Sequence, residues 1–217
     1  MNVNDRVAVV TGASSGIGKQ FSADLIGRGA TVFGLSRSLD KMEAIREELG
    51  ERFHPVACDV QDEEAVMGAF ETVTDAAGRI DILINNAGLG KFGPVEDFDV
   101  ETWDTLMDTN VRGVFLCTKA AVPTMQAQND ADGFGGHIVN IASIAGLLGN
   151  PNISAYNATK FGVRGFSASI MKELRDDGIK VTCVYPGSIE TDFFEVAGVD
   201  MTDHPMHAED VSSTVMH

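Results

Sequence analysis

Tyr156 and Lys160 stand four residues apart in the stretch SAYNATKFGVRGF. On a helix, residues i and i+4 stack on one face, so phenol and ammonium project side by side. A tyrosine hydroxyl can deliver a proton to a developing alkoxide, but its ordinary pKa of about 10 hinders that exchange near neutrality. A neighbouring cation stabilises the phenolate and lowers that pKa. Taken alone the two residues are an ordinary surface pair, and what decides between the readings lies elsewhere in the chain. Ser143 closes an apolar run. From there its hydroxyl can hydrogen-bond a substrate oxygen and turn it toward the tyrosine.

A second group of residues suits a nucleotide. TGASSGIG follows the apolar run RVAVVT and opens a helix, offering Gly12, Ser14, Ser15, Gly16, Ile17 and Gly18. Glycines there let the backbone turn tightly and approach a pyrophosphate, whose charge the helix N-terminus favours. The spacing is G-x-x-x-G-x-G, and no Gly-Lys-Ser/Thr follows, so this is not an ATP-type phosphate loop. The next apolar run ends in Ser36 and Arg37. An acid would suit the ribose hydroxyl of NAD, whereas a guanidinium suits the 2′-phosphate of NADP. The expected cofactor is therefore NADP(H), with NAD(H) less favoured. Asp59 and Val60 in CDV, and Asn86, Ala87 and Gly88 in NNAG, follow the third and fourth runs. Asp59 is placed to accept from an adenine amino group, and the small residues of NNAG permit close approach.

The elements that must position these groups alternate along the chain. Short apolar runs at 6–11, 31–36, 54–60, 80–88, 136–143 and 179–187 read as strands. Helical stretches fall between them, including 17–28, 41–50 and a long one over 103–126, with an exposed Gly-rich turn at 128–136. Continuous apolar strands are buried on both faces, as in a parallel sheet flanked by helices. Six such units predict one doubly wound, mostly parallel α/β domain spanning 1–217. Ligands of such sheets bind at the carboxyl ends of the strands, where the residues named above fall.

TGASSGIG, NNAG, Asn110 in TNVRG, Ser143, YNATK and YPGSIET together resemble the short-chain dehydrogenase/reductase family, in its order and spacing and over essentially the whole chain. The resemblance implies a Rossmann-type fold binding NAD(H) or NADP(H). It also implies a catalytic set of Asn110, Ser143, Tyr156 and Lys160, in which Asn110 holds a water linking the lysine to solvent. Tyr156 and Lys160 then also contact the cofactor, Lys160 through the nicotinamide ribose. Pro186 and Gly187 lie beside the nicotinamide, with Ile189 and Thr191 on its carboxamide. Residues 188–207 lack periodicity and are expected to form a substrate lid, with Phe193 and Phe194 as apolar wall. Members of the family usually run longer and close with a seventh strand, so the sequence reads as truncated before that strand. The family also implies a homodimer or homotetramer formed through the two longest helices.

Composition narrows the partners. The formal net charge of −16, from 32 acidic and 16 basic residues, repels nucleic acid and anionic membranes and disfavours an acidic carrier protein. No apolar run approaches the roughly 18 residues of a membrane span, and no secretory signal precedes RVAVVT. Three widely spaced cysteines read as buried free thiols of a reducing, cytoplasmic compartment. His204 and His207 lack a third ligand, so no metal is expected. The sequence thus predicts an NADP-dependent oxidoreductase that interconverts a small ketone or aldehyde and an alcohol by hydride transfer. The alternatives are a 3-oxoacyl-(acyl-carrier-protein) reductase and a non-catalytic dinucleotide-binding regulator. An intact Tyr–Lys pair argues against the regulator.

Overall fold

The computed structural model describes residues 2–197 and 204–216. Strands β1 (Val7–Thr11), β2 (Thr31–Ser36), β3 (Phe53–Ala57), β4 (Ile82–Asn85), β5 (Gly136–Ile141) and β6 (Ile179–Val184) form one sheet in the order β3-β2-β1-β4-β5-β6. Every neighbouring pair is parallel. The helices are α1 (Gly16–Gly27), α2 (Leu39–Leu49), α3 (Glu63–Ala77), α4 (Val100–Met107), α5 (Gly113–Asp132), α6 (Ser154–Glu173), α7 (Phe193–Ala197) and α8 (Ala208–Val215). None of the described helices is long and apolar enough to cross a membrane.

The continuous apolar runs behave as their composition demands. All residues of β1 and β4 are buried. Successive strand side chains point to opposite faces. Val7, Val9 and Leu83 therefore join a core with Phe70 of α3, Met125 of α5 and Ile170 of α6. Ala8, Val10, Ile82 and Ile84 join another with Phe21 and Leu25 of α1, Met42 of α2 and Val211 of α8. Two helical layers thus hold the sheet rigid.

Asp81 fixes the amino ends of the central strands. Its buried carboxylate accepts from Arg6 and Arg79 and from the Val7 N–H at 2.7–2.9 Å. Burial alone would raise its pKa, but the hydrogen bonds from Arg79, Val7 and Arg6 outweigh it and hold the carboxyl low. Its stabilisation is complete above the ordinary carboxylate range and fades as the pH falls through its own lower value.

Three sequence expectations shift. The helix expected over 103–126 is interrupted: α4 ends at Met107 and Asp108–Arg112 form a π turn before α5. The amide of Asn110 in that turn is drawn out of register toward a neighbouring loop, as described below. The turn expected at 128–136 is shorter, since α5 continues to Asp132 and stops at Gly133 in the left-handed region (φ 76°). Gln128 explains the extra turn, because its side chain accepts from Ile80 N–H and donates to the carbonyls of Ile80 and Gly135. Of the cysteines expected to be buried, Cys58 and Cys117 are, while Cys183 is half-buried.

Candidate active site

All six parallel strands end on the same side of the sheet. The chain turns from β1 toward β2 on one hand and from β4 toward β5 on the other, and a crevice opens where the order reverses. A cleft of about 550 Å³ occupies it. Gly12, Ser14, Ser15, Gly16, Ile17, Arg37, Asp59, Val60, Asn86, Ala87, Gly88, Pro186, Gly187, Ile189 and Thr191 all line this one cleft, together with Ser143, Tyr156 and Lys160. Gly18 and Asn110 stand behind its wall.

The glycine turn is built for close contact. Gly12 and Gly16 adopt φ of 67° and 51°, and Ser15 at the α1 N-cap makes no side-chain capping bond. Thr11 Oγ1 accepts from the N–H groups of Asn86 and Ala87 at 3.0 and 2.9 Å, and Asn86 Nδ2 donates to Thr11 O at 2.9 Å. The turn after β1 is thereby stitched to the turn after β4. Gly18 makes this possible from behind: a Cβ there would lie 2.2 Å from Gly12 O and 2.6 Å from Asn86 Nδ2. Backbone cannot yield as a side chain would, so Gly18→Ala is expected to destabilise by about 1–3 kcal/mol and to weaken dinucleotide binding. Thermal melting and a fluorescence titration check both, and unchanged values would mean that the turn is slack.

At the far end of the cleft, Ser36 donates to Ser14 Oγ at 2.9 Å. Arg37 Nη1 lies 3.9 Å from Asp59 Oδ2, with its side chain 63% exposed.

The proton-handling end is formed by α6, the end of β5 and the π turn. Tyr156 and Lys160 are both buried on α6. Tyr156 and Ser143 line the same cleft; burial pushes the phenol up to about 12, and the serine hydroxyl pulls the other way. Lys160 donates to Ile141 O at 3.0 Å, lies 5.5 Å from the centroid of the Tyr156 ring, and is pushed down to about 8 by burial. From its spacing alone, the lysine is expected to lower the phenol. In this structure desolvation dominates instead, and the ammonium is held by a carbonyl rather than by the hydroxyl. Asn110 accepts from Leu89 N–H at 2.7 Å and donates to Leu89 O and Thr159 Oγ1. Those bonds explain the π turn and tie it to both the β4 loop and α6.

Several site residues were silent in the sequence. Phe92 meets Tyr156 edge-on, with ring centroids 5.5 Å apart, and Phe193 stands 5.8 Å from the same ring. Gly90 leaves room for Phe193, since a Cβ there would fall 2.4 Å from the ring. Leu89, Gly90 and Phe92 sit in an aperiodic loop; their one sequence signal is their place directly after a strand's carboxyl end. Phe193 and Phe194 line the cleft. The ends of the expected lid are clipped together, with Glu190 N–H donating to Met206 O and Met206 N–H to Ser188 O, both at 2.8 Å. Its middle, 198–203, lies outside the described residues. His207 Nδ1 lies 3.0 Å from Glu190 Oε2, and among the described residues no cluster of three metal-ligating side chains forms.

A parallel sheet with a glycine turn at its crevice, and a buried Tyr–Lys pair with Ser143 beside it, defines a dinucleotide-dependent oxidoreductase. The chain belongs to the short chain dehydrogenase family, whose profile matches residues 6–201. It interconverts a carbonyl compound and an alcohol by hydride transfer with a nicotinamide dinucleotide. The 3-oxoacyl-(acyl-carrier-protein) reductase of Vibrio harveyi is 36% identical over 200 residues, covering 92% of this chain and 80% of the relative. The crystal structure of a 3-ketoacyl-(acyl-carrier-protein) reductase from Brucella melitensis with NADH is similar at TM-score 0.92 and 30% identity, covering 99% of this chain and 90% of that one. A short-chain dehydrogenase/reductase from Burkholderia phymatum with NAD gives 0.91 and 25%, covering 100% and 86%.

These structures correct the expectation of NADP(H), for one holds NADH and the other NAD. The surroundings of Arg37 give a physical reason. Its guanidinium is mostly solvated and already faces the Asp59 carboxylate, so a 2′-phosphate there would meet a screened cation and a nearby anion.

Proposed function

We propose that the protein is an NAD(H)-dependent reductase of 3-oxoacyl thioesters. The observation that carries this reading is the apolar chamber of Phe92 and Phe193 around the Tyr156–Ser143 pair, which suits an acyl chain ending in a carbonyl. The similarity to 3-oxoacyl reductases supports it.

The residues present fit a dinucleotide: Gly12 and Gly16 line the cleft where a pyrophosphate would lie, Gly18 lets the turn pack closely behind them, and Asp59 and Val60 would flank the adenine end. When bound, the nicotinamide supplies the hydride that reaches the substrate carbonyl carbon. Ser143 holds the carbonyl oxygen, and Tyr156 donates its proton to that oxygen as charge develops there. Lys160 places positive charge beside the phenol and would offer Nζ to the ribose. Asn110 keeps the loop at Leu89 and the turn of α6 at Thr159 in register. Phe92 and Phe193 exclude water. The two longest helices, α5 and α6, expose Phe115 and Phe161 at 45% and 42%, which supports self-association through that face.

A panel following NADH absorbance tests the reading, with a neutral 3-oxoacyl thioester, a coenzyme A thioester, an acyl-carrier-protein thioester and simple ketones. The thioesters are expected to exceed simple ketones by about tenfold or more in kcat/KM, the worth of a methylene-sized contact or better. A simple ketone matching them would overturn the reading. The net charge of −16 further predicts that the carrier-protein substrate gains least at low salt, where like charges repel most.

A further inference from the structure

The residue directly after the proton donor has no part in the chemistry described above, yet it is buried and fully bonded. Asn157 is 7% exposed. Its Nδ2 donates to Ala145 O at 2.5 Å and to Leu148 O at 2.8 Å, and its Oδ1 accepts from Asn150 N–H at 3.1 Å. A side-chain amide has two N–H donors and one carbonyl oxygen, so every polar group of Asn157 is engaged. All three partners lie in one loop, which runs from β5 to α6 and begins at Ser143.

The bonds inside this loop show what Asn157 acts upon. Ser143 Oγ accepts from Ala145 N–H at 3.1 Å, which orients the hydroxyl on the cleft wall it shares with Tyr156. Ala145 is thus gripped at both ends, by Ser143 through its N–H and by Asn157 through its carbonyl. Ile144 N–H donates to Pro186 O at 2.9 Å, tying the same turn to the segment after β6. Gly146 lies against the α6 backbone, where a Cβ would meet Lys160 O at 2.7 Å. The loop can therefore seat closely on α6, where Asn157 grips it with three bonds and Arg164 Nη1 adds a longer one to Gly146 O at 3.5 Å.

We propose that Asn157 is a positioning residue that sets the angle between the Ser143 hydroxyl and Tyr156. It acts through the turn at Ala145. One turn of α6 thereby carries the proton donor, its cation and the strut for the serine, so the three move as one unit. The inference rests on the roles given above to Ser143 and Tyr156.

A residue that merely staples the fold would lower activity whatever stood at position 143. A residue acting through Ser143 loses its effect once that hydroxyl is gone, which a double-mutant cycle detects. Asn157→Ala is expected to lower kcat for a neutral 3-oxoacyl thioester about 10- to 100-fold, the worth of one or two hydrogen bonds. In the Ser143→Ala background the same change is expected to cost less than about threefold. Amide hydrogen exchange, read without turnover, is expected to rise by about 10- to 100-fold across 143–150 and little elsewhere.

Equal loss of activity in both backgrounds, or exchange rising evenly along the chain, overturns the proposal. If the alanine variant does not fold, Asn157→Ser carries the same cycle and the same exchange measurement. If the wild type reduces no 3-oxoacyl thioester, the substrate reading fails by itself, and the exchange pattern alone decides whether Asn157 holds the loop.

Discussion

Tyr156→Phe is expected to lower kcat for carbonyl reduction by about 10² to 10⁴, the usual worth of a positioned general acid, while leaving the fold and dinucleotide affinity nearly unchanged. The ring keeps its contacts with Phe92 and Phe193, because only the hydroxyl is lost. Ser143 keeps the bond it accepts from Ala145 N–H. The stability change should therefore be small, within the roughly 1 kcal/mol typical of one hydrogen bond. The proton needs this hydroxyl because the other groups at the site cannot replace it. Lys160 is turned to Ile141 O, and an unassisted serine hydroxyl is a far weaker acid. Steady-state kinetics with a melting curve check the expectation. A variant keeping more than about a tenth of wild-type kcat would remove the phenol from the proton path.

The strands were legible because a parallel sheet buries both of its faces, and unbroken runs such as VAVVT and ILIN have few other uses. Helix ends were less so. The π turn at Asn110 depends on bonds to Leu89 and Thr159, partners distant in sequence, and no local propensity encodes it. Gln128 lengthens α5 for the same kind of reason, by reaching Ile80 across the fold. At the site, glycines and the Tyr–Lys spacing could be read because their chemistry tolerates few substitutes. Phe92 and Gly90 could not, since an aromatic ring and a glycine in an aperiodic loop acquire meaning only once Phe193 is brought between them. Arg37 shows the opposite failure. Its type suggested a phosphate, but type alone ignores the carboxylate of Asp59, which the fold places 3.9 Å away.

Lys160→Met should make the enzyme far less active and the protein more stable. Lys160 is only 6% exposed, and its ammonium is held by the Ile141 carbonyl. A carbonyl satisfies one of three N–H groups but supplies no counter-charge. Burial consequently pushes the lysine down to about 8, whereas in an unfolded chain it titrates near 10.4. Below about 8 both states hold the proton, and the folded state carries the full cost of a buried charge. Between about 8 and 10.4 the unfolded state binds more protons, so wild-type stability rises with pH across that window. Methionine has a similar volume and no charge to bury, and a pKa lowered from about 10.4 to about 8 corresponds to a cost on the order of 3 kcal/mol that it would remove. The melting point of Lys160→Met is thus expected to exceed that of the wild type at pH 7, with the difference shrinking toward pH 10. Activity should move the other way. The substitution removes the positive charge 5.5 Å from the Tyr156 ring, and losing such a partner of the proton donor should slow turnover by about 10²-fold or more. Wild-type carbonyl reduction should also decline as the pH rises through about 8, where Lys160 loses its proton. A methionine variant less stable than the wild type at pH 7, or a stability difference constant up to pH 10, would show that Lys160 carries no buried charge. The site would then owe its chemistry to the phenol and the serine alone.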